Sequence, residues 1–142
     1  MNRQATDLAA PLGRLLLSLI FIMAGFSKIT GYAGTQQYME MMGVPGALLP
    51  LVILTELGGG IALLLGWQAR IAAFLLAGFS ILSGLIFHMI PGMALDGLAA
   101  QAETISFMKN VAIAGGLAMI VAFGPGRLSL GRDSRLGAVP AE

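Results

Sequence analysis

Residues 71–87 read IAAFLLAGFSILSGLIF, and Ser80 and Ser83 are their only polar side chains. A helix lying on a soluble core keeps a polar face toward water, whereas a helix apolar on every side is made for lipid. A hydrocarbon core of roughly 30 Å takes about 20 such residues. Carried to its limits, the segment covers about residues 70–90. Three more segments share its character, at about 11–29, 46–66 and 106–124. Of the 142 residues, 57% are hydrophobic and 11% charged, against about 25% charged in soluble domains. Mean hydropathy is +0.87. A soluble, fully apolar four-helix bundle is the alternative, and the missing polar face of residues 71–87 weighs against it. The chain is expected to be an all-α integral membrane protein, four transmembrane helices in an antiparallel bundle. Arg3 and Arg14 before an apolar run also suit a signal peptide. Ile22-Met23-Ala24 is a poor cleavage site, however, so the first span is expected to remain.

Working outward from the spans, only Trp67-Gln68-Ala69 joins the second to the third. That length makes an antiparallel hairpin with an interfacial tryptophan. The longer connections are 30–45 and 91–105. Pro11, Pro91 and Pro125 fall at span ends, where proline is tolerated or stops a helix. Residues 1–126 form the membrane domain. Residues 127–142 are a polar, Arg-rich tail, expected to be loosely ordered. With four spans, both termini share a side with the 67–70 linker. That side holds Arg3, Arg14, Arg70, Arg127, Arg132 and Arg135, and the other holds Lys28 and Lys109. Positive charge favours the cytoplasm, so both termini are expected there.

Polar side chains inside the spans are the chemical signal. At 1.5 Å per residue, Lys28, His88, Lys109 and Asn110 all fall roughly 25 Å from the cytoplasmic face, near the outer one. Glu56 falls roughly 10 Å beneath that layer. Arg14 stands near the cytoplasmic face, with anchoring as its plainest role. Lysines near helix ends can snorkel to water, but a mid-bilayer carboxylate costs about 2.5–3.5 kcal/mol and must be paired, protonated or wet. Interhelical hydrogen bonds average only about 0.6 kcal/mol, which does not recover that cost. Glu56 is therefore the candidate catalytic residue, as a proton acceptor. Lys28, His88, Lys109, Asn110 and Arg14 are the candidate ligand-binding residues. Gly58-Gly59-Gly60 after Glu56 suit either tight helix packing or a ligand wall.

Two lysines, a histidine and an asparagine make an electropositive pocket suited to quinone carbonyls or to a small anion such as a sulfur oxyanion. With no cysteine in the chain, thiolate nucleophiles, Cys-ligated zinc and iron–sulfur clusters are excluded. His88 is the only histidine, so no bis-His haem site exists. Met39, Met41 and Met42 offer thioethers of the kind that suit Cu(I), but methionine also fills apolar loops, and no metal site is assigned. The glycine run lacks a preceding strand and a following Lys-Ser/Thr, so it carries no nucleotide signal. No basic run interleaved with aromatics exists, and nucleic acid is not an expected partner.

Several motifs, taken in order, resemble the DoxX family of small four-span bacterial membrane proteins. They are Gly13-Arg14, Ala24-Gly25-Phe26-Ser27-Lys28, Gly43-Val44-Pro45, Glu56-Leu57-Gly58-Gly59-Gly60, Phe87-His88 and Lys109-Asn110. The resemblance covers about residues 11–126. The stretch GYAGTQQYMEMMGVPG, 31–46, is similar to the branch labelled as a quinol oxidase subunit. The resemblance implies a four-helix bundle in the bacterial inner (cytoplasmic) membrane. It also implies links to quinone-dependent oxidation of sulfur compounds or to membrane complexes that handle thiols. Without cysteine this chain forms no thiol intermediate of its own. Three functions follow as expectations. The first is a quinone-linked redox subunit or accessory whose partners are the bilayer, a quinone or sulfur anion, and other membrane redox proteins or further copies of itself. The second is a non-enzymatic scaffold for another complex, and the third a small transporter.

Overall fold

A computed structural model describes residues 3–126 and 128–131, with side chains from residue 8 onward. Five helical elements follow one another: α1 (Arg3–Thr30), α2 (Tyr32–Met41), α3 (Gly46–Leu65), α4 (Ala69–Gly92) and α5 (Gly97–Phe123). No strand occurs among the described residues. Four helices are long and apolar enough to cross a membrane, α1 doing so over Leu8–Thr30. Their outward faces carry bulky apolar side chains such as Phe26, Phe74, Leu82 and Phe123. Around the bundle α1 packs on α3, α3 on α4, and α4 most extensively on α5, while α5 meets α1 only lightly. One end, here the far end, holds residues 31–45 and 93–96. The other, the terminal end, holds residues 66–68, 124–126 and 128–131.

Element limits differ from the sequence expectation in three places. Helix α5 begins at Gly97, not near 106. Hydropathy undercounts that turn because Gln101 and Glu103 are polar, yet Ala, Leu, Gln and Glu are good helix formers. The connection 30–45 is mostly the helix α2, not a loop. Pro11 lies inside α1 rather than at its start, since membrane helices absorb a proline by re-satisfying the freed carbonyl locally.

The terminal half of the bundle is solid. Phe21, Leu63, Ala73, Leu76, Leu117 and Ile120 form its core, with Leu63, Leu76 and Leu117 fully buried. Glycine sets the spacing there. A Cβ on Gly59 would press on Leu76 of α4, and one on Gly60 would meet Phe21 and Ile22 of α1. The glycines after Glu56 therefore serve close packing of α3 against both neighbours. Gly66 (φ +70) closes α3 in the left-handed conformation. The described part of the tail is not loose. Leu130 N donates to Leu65 O at 3.0 Å, and Gly131 N donates to Gly66 O at 3.1 Å, so 128–131 straps across the α3–α4 turn. Arg127, Arg132, Arg135 and the Arg3 side chain lie outside the described residues.

Candidate functional site

The far half of the bundle is hollow. A cavity of about 500 Å³ is bounded by all five elements, including Lys28 on α1, Tyr38 on α2, Glu56 on α3, Ser80, Phe87 and His88 on α4, and Asn110 on α5. Its wall is otherwise mostly aliphatic and aromatic. Two regions of unusual backbone shape it. Leu54–Gly58 of α3 and Leu85–Met89 of α4 are π turns, each inserting an extra residue into an α-helix. Such turns hold well under 1% of residues in proteins and are frequent at functional sites. Here one carries Glu56 and the other His88.

Depth along the helices predicts Glu56 about 10 Å beneath Lys28. The structure instead joins them, with Lys28 Nζ donating to Glu56 Oε1 at 2.9 Å and standing 2.9 Å from Oε2. Side-chain direction explains the correction. In a helix the Cα–Cβ bond leans toward the N-terminus. Helix α1 starts at the terminal end and α3 at the far end, so Lys28 leans inward and Glu56 leans toward it. The Glu56 side chain is 6% exposed and that of Lys28 25%, so the pair sits largely out of solvent.

At the rim, His88 Nδ1 and Glu103 Oε2 lie 2.7 Å apart, joining α4 to α5. Glu103, which the sequence reading leaves in a connection, does not line the cavity but holds His88, which does. The signal available was its place one short link after His88, opposite it in an antiparallel hairpin. Tyr38 is also missed by sequence. Its ring stacks on Phe87 with centroids 5.5 Å apart, pinning α2 over the cavity. Burial, and next the negative charge of Glu103, raise the Tyr38 phenol above its usual pKa. Gln36 Nε2 donates to Gly46 O at 3.2 Å, tying α2 to the start of α3.

Asn110 reaches the cavity while its Nδ2 donates to Ser106 O at 3.0 Å. Lys109, next to it, is exposed and does not line the cavity. Arg14 is not brought to the cavity either. It is buried at the terminal end, where its Nη2 donates to Leu128 O. The methionines of α2 diverge, Met39 being buried against the cavity and Met41 exposed.

The cavity opens sideways. Leu49–Ile53 of α3 does not approach α4, although the same helices meet lower down. Leu51 and Leu82, both exposed, line the cavity from the two sides of this gap. Both helices bordering this gap are long and apolar enough to cross a membrane.

The DoxX family profile matches residues 9–89. The chain is 45% identical over 130 residues to "Inner membrane protein YqjF" of Escherichia coli (strain K12), covering 92% of this chain and 95% of that one. It is 36% identical over 123 residues to "Inner membrane protein YphA" of the same strain, covering 85% and 86%. To "Putative oxidoreductase CatD" of Bacillus subtilis (strain 168) it is 31% identical over 77 residues, covering 54% and 57%. No solved structure matches it significantly. Four spans and these matches agree: the chain belongs to the DoxX family and is a multi-pass inner-membrane protein.

Proposed function

We propose that this chain is a quinone-linked redox subunit or accessory, with its cavity as the quinone site. The observation that carries the reading is a buried ion pair, Lys28–Glu56, on the wall of a mostly apolar cavity that opens toward lipid. Binding sites for small molecules combine an apolar body with a few placed polar groups, in volumes of about 300–1,000 Å³. In this reading Lys28, His88 and Asn110 orient the head group and Glu56 accepts a proton. The name of the Bacillus relative, "Putative oxidoreductase CatD", points the same way. With the termini cytoplasmic, the site lies toward the periplasmic face.

A second reading, a non-enzymatic scaffold, is favoured by one observation: Lys28 and Glu56 already satisfy each other's charge. Quinone content separates the two. Wild type and Glu56→Gln are purified from native membranes in mild detergent, and extracted quinone is quantified by mass spectrometry. Retention by wild type and loss from the variant is the expected result. No quinone in either, with both equally folded, refutes the site and favours the scaffold.

A further inference from the structure

Hydroxyl side chains in membrane helices normally donate back to their own helix. Ser18 donates to Leu15 O, Thr55 to Leu51 O, Ser83 to Ser80 O and Ser106 to Ala102 O. Ser80 departs from this pattern. It is 1% exposed, yet its Oγ has no hydrogen-bond partner among the described residues. A buried polar atom left unpaired costs about 1–3 kcal/mol, so its retention calls for a reason. Four such atoms occur among the described residues: Arg14 Nε and Nη1 at the terminal end, Ser80 Oγ, and Glu56 Oε2, which is close to Lys28 Nζ but without a well-directed hydrogen bond. Ser80 and Glu56 line the same cavity. The π turn Leu54–Gly58, which carries Glu56, packs on the Ala69–Gly84 part of α4, which carries Ser80.

We infer that Ser80 Oγ and Glu56 Oε2 form a two-point seat for a hydroxyl group on a membrane-dissolved ligand, and that the site thereby prefers a hydroxyl-bearing aromatic head to the corresponding carbonyl or ether. The chemistry of the seat sets the preference. A carboxylate held against an ammonium offers lone pairs only, so the group facing Oε2 must donate a proton. A serine hydroxyl both donates and accepts, so it completes the contact to the same ligand oxygen. A carbonyl oxygen brought to Oε2 would place two acceptors together, and a methyl ether would offer Oε2 no proton. Ser80 is then a positioning and selectivity residue. It acts on which head is held, while the apolar wall and the lateral gap act on the tail. This assignment rests on the reading of the cavity as a site for a lipophilic ligand.

The test uses the full chain in nanodiscs and two probes with the same short alkyl tail: a hydroquinone kept reduced under anaerobic conditions, and its dimethyl ether. Wild type is expected to bind the hydroquinone about tenfold or more tightly, the scale of a hydrogen bond to a charged group. Ser80→Ala is expected to lower that ratio about fivefold. Equal binding of both probes by wild type, or a ratio untouched by Ser80→Ala, overturns the head-group assignment while leaving the cavity a lipophilic site. Binding of neither probe overturns both.

Discussion

At the scale of single residues the governing fact is the Lys28–Glu56 contact. Either charge alone in the span would cost about 2.5–3.5 kcal/mol on insertion, and the two together cancel most of the field that makes them costly. Such pairs add little net stability over apolar groups, but breaking one strands the survivor at a cost of about 3–5 kcal/mol when fully buried. Lys28 is one-quarter exposed, so Lys28→Met is expected to cost about 2–4 kcal/mol. Adding Glu56→Gln should recover most of it, because the stranded charge is gone. Unfolding of the two single variants and the double variant in detergent checks this. A double variant no more stable than Lys28→Met would show that the pair is not what matters. The presence of an expensive carboxylate was plain in the sequence, as were Lys28, His88 and Asn110 near it, while Lys109 and Arg14 of the expected set stand away from the cavity. Its partner was hidden because rise per residue measures where backbones stand, while lysine reaches several ångströms along its own helix. Ser80 was hidden for a related reason. Sequence marks a serine in a span as a back-bonder by default, and only the structure reveals one that is not.

At the scale of elements, the four spans were legible because lipid imposes a length and an apolar composition that few other environments do. The π turns at Leu54–Gly58 and Leu85–Met89 were not legible. One extra residue leaves hydropathy unchanged and disturbs a 3.6-residue period too briefly to register. Helix α2 and the first turns of α5 were also illegible, since hydropathy measures membrane depth and these turns are polar helix at the far end. Their placement rests on contacts that cross elements, Tyr38 on Phe87 and Glu103 on His88. Those contacts have a titration signature. Burial, then Glu103, raise the Tyr38 phenol above its usual pKa, which is about 10 for tyrosine. The folded chain thus holds this proton more tightly than the unfolded chain does. The resulting stabilisation is complete below the unfolded value and is lost as pH rises through the folded one. In a Tyr32→Phe background, Tyr38 is the only tyrosine. Its phenolate absorbance should then rise only above the usual range, and Glu103→Gln should move the rise back toward it. A midpoint in the usual range, unaffected by Glu103→Gln, would mean that α2 does not rest on the rim as described.

At the scale of the whole molecule, the solid terminal half and the hollow far half give the bundle a direction, and arginine placement predicts how that direction lies in the membrane. Arg70 Nη1 donates to Val121 O at 2.6 Å and Ala122 O at 3.1 Å, carbonyls of the last turn of α5. A cation there also suits the negative end of the helix dipole. Arg14 holds Leu128 on the same end. These arginines therefore secure the turn and strap as well as marking a side. The far half carries Lys28, committed to Glu56, and Lys109; the positive-inside rule counts both, whatever their partners. A green fluorescent protein fused to the C-terminus should fluoresce, and alkaline phosphatase at the same point should be inactive, because the first matures in the cytoplasm and the second in the periplasm. The reverse pattern would turn the cavity toward the cytoplasm. A proton accepted by Glu56 would then leave on the cytoplasmic side, and a quinone-linked role could no longer deliver charge outward across the membrane. Orientation thus decides more than topology. It fixes on which side of the membrane any redox partner of the Lys28–Glu56 site must work.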